Sequence, residues 1–208
     1  MISGLYAITR ETDNTAHLIA SVAAALQGGA SVVQYRDKSG DVARQHEQAS
    51  ELLLLCRRRN VPLIINDSLR LADLVGADGV HLGSDDGSVQ EARIILGHDK
   101  LIGVSCYQSL PLALAAQAAG ADYVAFGSFF PSLTKPGALR AELSLLRQAA
   151  RVIHRPIVAI GGVTLQNAES LVMAGADAIA VISALFDSGN VTETALQFAD
   201  LFMDETED

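Results

Sequence analysis

Gly120-Ala121-Asp122-Tyr123-Val124 is one of four related stretches that decide the fold of this chain. The other three are Gly29-Ala30-Ser31-Val32-Val33, Gly76-Ala77-Asp78-Gly79-Val80 and Gly175-Ala176-Asp177-Ala178-Ile179. Each copy begins with a glycine, which is typical of the end of a helix, and continues directly into apolar residues that are typical of a buried strand. The repeat therefore predicts four helix-to-strand junctions of one design.

The spacing of the copies predicts how many strands the chain has. Their glycines, at positions 29, 76, 120 and 175, stand 47, 44 and 55 residues apart, which is too long for one βα unit and suits two. Further apolar runs lie in these gaps, at residues 62–66, 101–105 and 156–160, and another lies at residues 5–9.

Eight strands that alternate with helical segments predict an α/β fold, a single (β/α)8 TIM barrel with short loops. Apolar residues recur with helical spacing, for example over residues 42–59 and 165–174. The alternative is an open doubly wound sheet, but no GxGxxG motif follows the first strand.

The composition bounds the size of the domain and the class of partner. The chain has 208 residues, of which 50% are hydrophobic, so it can build one substantial core. We expect a single barrel domain over residues 1–203 and an acidic tail, DETED, over residues 204–208. A net charge of -9 has the wrong sign for binding nucleic acid or an anionic membrane, so we expect small-molecule partners. The sequence leaves open whether copies of the chain form a homo-oligomer.

The sequence also bears on the cellular compartment. The least charged stretch, residues 107–134, contains two prolines and two glycines that break it into pieces too short to cross a bilayer. The first residues carry no basic segment followed by a long apolar run, as a secretory signal would. The two cysteines have no metal-site spacing, and we expect a protein of the reducing cytoplasm.

Polar residues follow the second strand, at the end where barrel active sites form. In QYRDK, residues 34–38, alternation places Gln34, Arg36 and Lys38 on one side of an extended segment. Two cations and an amide there can hold a polyanion. The alternative interpretation is an ordinary solvated loop.

Two carboxylates follow the third and fourth strands. Asn66 and Asp67 end the third strand, and Asp86 lies just beyond His81 and the fourth. Carboxylates facing one barrel mouth can hold Mg²⁺ together with substrate phosphate oxygens. Each aspartate could instead cap the helix that follows it, and His81 could be a packing residue.

Hydroxyls and glycines follow the remaining strands. Ser105 ends the fifth strand, and the loop after the sixth, residues 127–135, ends in four residues with two hydroxyls and a lysine that could wrap a phosphate. Gly161-Gly162 and Ile182-Ser183 end the last two strands, where barrels bind phosphate with backbone N–H groups. The glycine pair could also be only a tight turn. Together these features predict two anionic substrates, one of them bridged by a metal.

The chain resembles the thiamine-phosphate synthase family. The resemblance runs over nearly the whole chain and rests on Gly4-Leu5-Tyr6-Ala7-Ile8-Thr9, Val33-Gln34-Tyr35-Arg36-Asp37-Lys38, Ile65-Asn66-Asp67, Gly79-Val80-His81-Leu82-Gly83, Ile102-Gly103-Val104-Ser105, Ala125-Phe126-Gly127, Thr134-Lys135, Val158-Ala159-Ile160-Gly161-Gly162-Val163 and Ala180-Val181-Ile182-Ser183-Ala184. It implies a transferase that joins 4-amino-2-methyl-5-pyrimidinylmethyl diphosphate to 4-methyl-5-(2-hydroxyethyl)thiazole phosphate, with Mg²⁺ as cofactor.

The resemblance also assigns residues to roles. It implies that the diphosphate substrate is held by Gln34, Tyr35, Arg36, Asp37, Lys38, Asn66, Ser105 and Lys135, with Arg36, Lys38, Ser105 and Lys135 acting in catalysis. It implies Mg²⁺ ligation by Asp67 and Asp86, and binding of the thiazole phosphate by Ser132, Leu133, Thr134, Gly162, Ile182 and Ser183. The chain departs from the family pattern at Ser84, Ser132 and Glu142, and Ser132 keeps the hydroxyl of the residue it replaces.

Three other functions fit the same fold less well. A thiazole tautomerase uses a histidine, whereas the loop after the fifth strand reads Ser105-Cys106-Tyr107. A catalytically silent, phosphate-binding regulatory barrel would be expected to lose the metal carboxylates. A sugar-phosphate epimerase needs paired acid and base groups, which we cannot assemble from this sequence.

Overall fold

Eight parallel strands close into a barrel in a computed structural model that describes residues 2–131 and 139–203. The strands follow one another around the barrel in chain order, and β8 pairs with β1. Their bounds are β1 Gly4–Ile8, β2 Val32–Tyr35, β3 Leu63–Asn66, β4 Gly79–Leu82, β5 Leu101–Tyr107, β6 Tyr123–Phe126, β7 Ile157–Ile160 and β8 Ala178–Val181. The predicted (β/α)8 barrel is confirmed.

A helix follows each strand and covers the outside of the barrel. The first seven are α1 Thr15–Gln27, α2 Val42–Arg58, α3 Leu69–Val75, α4 Val89–Leu96, α5 Leu110–Ala118, α6 Leu143–Val152 and α7 Leu165–Met173. After β8 come the single turn α8 Ser183–Phe186 and then α9 Val191–Asp200. Among the helices of the described residues, none is long and apolar enough to span a membrane.

Strand alternation divides the core into two layers. Along β1, Leu5 and Ala7 face outward and pack under the helices, while Tyr6 and Ile8 face into the barrel. The interior layer contains apolar side chains from several strands together with the rings of Tyr6 and Tyr123, both almost fully buried. Two tyrosine hydroxyls therefore lie inside the barrel, where they need hydrogen-bond partners.

The four-fold repeat has a specific structural role. Its glycines all adopt left-handed backbone conformations, with φ of 93°, 67°, 93° and 104° at Gly29, Gly76, Gly120 and Gly175. These values favour glycine and turn the chain from each helix into the next strand.

The aspartates of the repeat tie neighbouring strands together at the amino end of the barrel. Asp78 accepts a hydrogen bond from the backbone of Leu63 at 2.9 Å. Asp122 does the same for Ile102 and Asp177 for Ile157, both at 2.7 Å. In the first copy Ser31 replaces aspartate and donates to the carbonyl of Leu5 instead. The repeat thus holds four strand pairs in register and leaves the opposite, carboxyl end open for a site.

Candidate active site

A cavity of about 520 Å³ opens at the carboxyl ends of the strands. Side chains from most of the barrel line it: Tyr6, Ile8, Gln34, Arg36, Asn66, His81, Ser105, Tyr107, Gln108, Tyr123, Ala125, Ser128, Leu139, Val158, Ile160, Ala180 and Ile182. Of the polar residues singled out in the sequence, the structure therefore brings Gln34, Arg36, Asn66, His81 and Ser105 to one place.

A continuous polar network forms the floor of this cavity. Gln34 donates from Nε2 to the hydroxyl of Tyr6 at 2.9 Å, and that hydroxyl lies 2.8 Å from the hydroxyl of Tyr123. Tyr123 contacts Nδ1 of His81 at 3.1 Å, and Nε2 of His81 lies 2.8 Å from Oγ of Ser105. Burial raises the pKa of both phenols, so both stay protonated and uncharged at neutral pH.

Sequence reasoning missed both tyrosines. Tyr123 stands in the quoted repeat and Tyr6 in the first strand, so each could be read as an ordinary apolar strand residue. The one available signal was alternation, which places Tyr6 and Ile8 on the opposite face from Leu5 and Ala7. His81, for which packing and function were both open, is a member of the network.

The segment that follows β2 sends its side chains in two directions. Arg36 lines the cavity, and its backbone N–H donates to Oγ1 of Thr9 at 2.9 Å. Lys38 forms an ion pair with Asp67 across the mouth of the barrel. Gln34 and Arg36 thus line the cavity, as alternation predicts, while Lys38 is paired with Asp67.

Tyr35 and Asp37 point away from the cavity toward α2. The Tyr35 hydroxyl donates to Oε1 of Gln48 at 2.8 Å, and Asp37 accepts from Nε of Arg44 at 3.2 Å. Burial acts to raise the pKa of Asp37, but the Ser39 and Arg44 donors outweigh it and lower that pKa. Expected as substrate contacts, these two side chains are instead placed by the structure where they hold the segment against α2.

The two expected metal carboxylates lie next to each other. Asp67 has a left-handed φ of 64°, and its backbone donates to the carbonyl of His81 at 2.8 Å. Asp86 accepts from the backbone of Gly83 at 2.8 Å and lies within hydrogen-bonding reach of Asp67. Burial raises the pKa of Asp86 first, and the neighbouring Asp67 carboxylate raises it further.

Neither aspartate caps a helix, so the capping alternative is wrong. Ser68 is the N-cap of α3 and Ser88 that of α4, and their hydroxyls accept from Leu71 and Glu91 at 3.1 Å. Ser68, which follows Asp67 directly, and Ser88, two residues after Asp86, therefore cap these helices, and the two aspartate side chains do not.

This donor set fits Mg²⁺. Two adjacent carboxylates, one with a raised pKa, gain from a nearby cation, and Mg²⁺ commonly takes only one or two protein carboxylates besides phosphate oxygens and water. Within residues 2–131 and 139–203 there is no group of three or more His, Cys, Asp or Glu side chains arranged to hold a metal ion. Substrate phosphate oxygens and water would supply the other ligands of a Mg²⁺ held by these two carboxylates.

A second, smaller pocket of about 350 Å³ lies beside the cavity, at the ends of β7 and β8. Gly161, Gly162, Thr164, Ile182 and Ser183 line it, with Ser183 as the first residue of α8. The wall formed by Ile160, Gly161 and Ile182 is shared with the main cavity. We call this pocket the β7–β8 groove.

Position 162 in the groove requires glycine, both for its backbone conformation and for the space around it. Its φ is 64°, and a Cβ atom there would come within 2.3 Å of the carbonyl oxygen of Pro131. The four loop residues assigned by resemblance, Ser132, Leu133, Thr134 and Lys135, lie outside the described residues.

Two departures from the family pattern have visible positions. The backbone of Ser84 donates to the Tyr107 hydroxyl at 3.2 Å, at the rim of the main cavity. Glu142 is the N-cap residue of α6, without a side-chain capping hydrogen bond. Neither residue alters the floor of the cavity.

Comparison with known proteins identifies the chain's relatives. A family model described as thiamine monophosphate synthase matches residues 5–185. A thiamine-phosphate synthase of Thiobacillus denitrificans is 64% identical over 205 residues, which are 99% of this chain and 97% of that protein. A thiamine-phosphate synthase of Nitrosospira multiformis is 52% identical over 201 residues, which are 97% of this chain and 86% of that protein.

Solved structures agree with the sequence relatives. The structure of a thiamine phosphate pyrophosphorylase from Pyrococcus furiosus superposes with a TM-score of 0.86 at 33% identity, covering 96% of this chain and 95% of that one. The likeness thus extends over nearly the whole chain rather than over one motif. The chain belongs to the thiamine monophosphate synthase family.

Proposed function

We propose that the cavity and the β7–β8 groove each bind one substrate of thiamine phosphate formation. The chain is a transferase that condenses 4-amino-2-methyl-5-pyrimidinylmethyl diphosphate with 4-methyl-5-(2-hydroxyethyl)thiazole phosphate, releasing diphosphate. One observation carries the proposal. Two pockets of different chemistry share the wall of Ile160, Gly161 and Ile182. Arg36 lines the cavity, with the Lys38–Asp67 ion pair at its mouth. Glycines, the hydroxyl residues Thr164 and Ser183, and Asp187, which is paired with Arg10, line the groove.

The diphosphate belongs at the side of the mouth where Arg36 and Lys38 lie. Lys38 is paired with Asp67 and half exposed, so its ammonium can turn from Asp67 to a phosphate oxygen. Asp67 and Asp86 would hold Mg²⁺, which when bound neutralises negative charge on the diphosphate.

The thiazole phosphate belongs in the groove. Backbone N–H groups near Gly162 and the hydroxyl of Ser183 suit a phosphate, and Ile182 separates that phosphate from the cavity. The resemblance adds Ser132, Leu133 and Thr134 to this set and Lys135 to the diphosphate, and these four assignments rest on the sequence alone.

The chemistry requires no general base. As diphosphate departs, the benzylic-type carbon becomes a cation that the electron-rich aminopyrimidine stabilises, and the thiazole nitrogen then captures it. Arg36 and Lys38 act on the departing oxygens, where negative charge grows, while Asn66 and Ser105 hold the pyrimidine ring in line. We further propose that this takes place in the cytoplasm, with small molecules as the partners.

The test is a direct reconstitution. The purified chain, both substrates and Mg²⁺ should yield thiamine phosphate and inorganic diphosphate in equal amounts, measured by chromatography. Product formation should stop in excess chelator and resume when Mg²⁺ is restored. Isomerisation of a thiazole phosphate without consumption of the diphosphate substrate would favour the tautomerase alternative instead.

A further inference from the structure

Five polar side chains cross the cavity floor as a single hydrogen-bonded chain. They run from β2 through β1 and β6 to β4 and β5, in the order Gln34, Tyr6, Tyr123, His81 and Ser105. All five line the cavity, but the family resemblance assigns a role toward substrate only to the two ends, Gln34 and Ser105. The three central residues need a different explanation.

The hydrogen bond from Gln34 has a defined donor, and from it we assign a direction to the other hydrogen bonds of the chain. Gln34 donates its amide proton to Tyr6. Either oxygen can be the donor between the two hydroxyls, and we assign the Tyr6 proton to Tyr123 because Tyr123 is the other side-chain partner described for that hydroxyl. Tyr123 already accepts from Tyr6 and therefore donates to Nδ1 of His81. A hydroxyl has only one proton to give, which is why the direction propagates.

The same logic fixes the histidine and the serine. A neutral imidazole whose Nδ1 accepts a proton carries its own hydrogen on Nε2, and Nε2 faces Oγ of Ser105 at 2.8 Å. Ser105 accepts there, so its hydroxyl proton is free for an acceptor in the cavity that Ser105 lines.

We propose that Tyr6, Tyr123 and His81 are positioning residues that present the Ser105 hydroxyl to the cavity as a hydrogen-bond donor. A 4-aminopyrimidine ring has nitrogen atoms that accept such a bond, and this part of the inference rests on the proposed function. The network acts on the pyrimidine substrate alone, because it lies on the cavity floor and not in the β7–β8 groove.

The geometry around Tyr123 indicates that its place is specified. A Cβ atom added to Gly103 of β5 would lie 2.0 Å from the Tyr123 ring, so glycine at that position leaves the space the ring occupies. The ring of His81 lies against the same tyrosine, with centroids 5.6 Å apart. Two strands thus accommodate one phenol in one orientation.

The first test needs no catalysis. In protein labelled with nitrogen-15 at histidine, at about pH 8 where imidazole is neutral, His81 should show a protonated Nε2 and an unprotonated Nδ1. Tyr123→Phe should shift the Nδ1 resonance, because it removes that donor. A proton on Nδ1 in the wild type, or an unmoved Nδ1 resonance in the variant, would overturn the proposal.

The second test separates the two substrates. Tyr123→Phe should raise the KM of the pyrimidine diphosphate by about tenfold, the loss of one well-placed hydrogen bond, and Tyr6→Phe should raise it less. The KM of the thiazole phosphate should not change. Thr192→Val is the matched control, since it removes a part-buried side-chain hydrogen bond to the Ala24 carbonyl, between two helices on the outside of the barrel.

The outcomes are distinct. Tyrosine variants with the kinetics of Thr192→Val, or with equal effects on both substrates, would contradict the positioning role. If Tyr123→Phe did not fold, Tyr6→Phe and the wild-type spectrum would still decide. If the wild type made no thiamine phosphate, the proposed function would fail while the histidine spectrum still tested the network.

Discussion

Asp86 combines a functional geometry with an energetic cost. It is partly buried beside Asp67, and both features raise its pKa above the ordinary value. A carboxyl in this setting is poorly suited to stabilising the fold and well suited to receiving a cation. Two predictions follow from this one residue.

Asp86→Asn should lower the rate of thiamine phosphate formation by about a hundredfold or more, because it removes a charged ligand to Mg²⁺. Steady-state rates at saturating substrates over a range of Mg²⁺ concentrations provide the measurement. Asp85→Asn is the control, since that neighbouring side chain is exposed and has no assigned role. Equal rates for the two variants would remove Asp86 from the metal site.

The metal-free protein should show the cost directly. A carboxyl whose pKa is raised by folding is disfavoured as an anion in the folded state, so stability falls as pH rises from its ordinary value of 3.8 through the raised value. At neutral pH, Asp86→Asn should therefore raise the melting temperature of the chelator-treated protein by about 1–3 °C. A lower melting temperature than that of Asp85→Asn would contradict this sign.

Ser183→Ala should discriminate between the substrates. Loss of one hydrogen bond to a charged phosphate should raise the KM of the thiazole phosphate by about tenfold and leave that of the diphosphate substrate unchanged. The control is Ser188→Ala, five residues after Ser183, whose hydroxyl donates to the Leu185 carbonyl at 2.7 Å. Equal effects on both substrates would mean that the two anions are not held separately.

Residue roles were only partly predictable from sequence. Alternation correctly placed Gln34 and Arg36 at the site, because a strand sends every second side chain the same way. It could not distinguish Asp67 and Asp86 from helix caps, since aspartate and serine cap equally well and only the backbone shows which one does. The Tyr6–Tyr123 contact joins residues 117 positions apart, and nothing local indicates it.

At the scale of elements, the repeat aspartates should matter for stability and not for catalysis. Asp122 accepts from both the Ile102 backbone and Nη2 of Arg93, the latter at 2.6 Å. Asp122→Ala should lower the free energy of unfolding by about 2–3 kcal/mol, because it leaves a backbone N–H and a guanidinium without this acceptor. Urea unfolding measures this, and KM values should stay constant.

The comparison within the repeat sharpens that prediction. Asp78→Ala should lower the free energy of unfolding by less, about 1–2 kcal/mol. The hydrogen bond described for the Asp78 side chain comes from the Leu63 backbone, and no guanidinium is described as a second donor. Asp73→Ala, on the exposed face of α3, should change stability by no more than about 0.5 kcal/mol. If all three variants were alike, the repeat would not be holding the strands together.

The elements were largely foreseeable because their signal is local. Strand positions followed from apolar runs and glycines, and the predicted helices end within one residue of those observed, at Arg58 and Met173. What the spacing could not reveal is why three copies carry aspartate. That role depends on a backbone donor in the preceding strand, which comes close only once the barrel has closed.

At the scale of the whole molecule, ligand binding and folding should be coupled through the metal. Inorganic diphosphate with Mg²⁺, at about a hundred times its Kd, should add about 2.7 kcal/mol to the free energy of unfolding. Differential scanning calorimetry should show the rise in melting temperature only when both are present, and not in Asp86→Asn. A full rise with diphosphate alone would indicate a site built from cations without a metal.

The closure of β8 against β1 has a consequence for the architecture of the chain. Ser31 reaches back to the carbonyl of Ser3, while the turn at Gly29 lies against Ala199 near the end of α9. The first and last described elements thus meet on the face opposite the substrates. The ends of the described chain lie at the amino end of the barrel and the candidate active site lies at the carboxyl end. A circular permutant that begins at another turn of the amino end should therefore keep every group assigned to substrate binding in place.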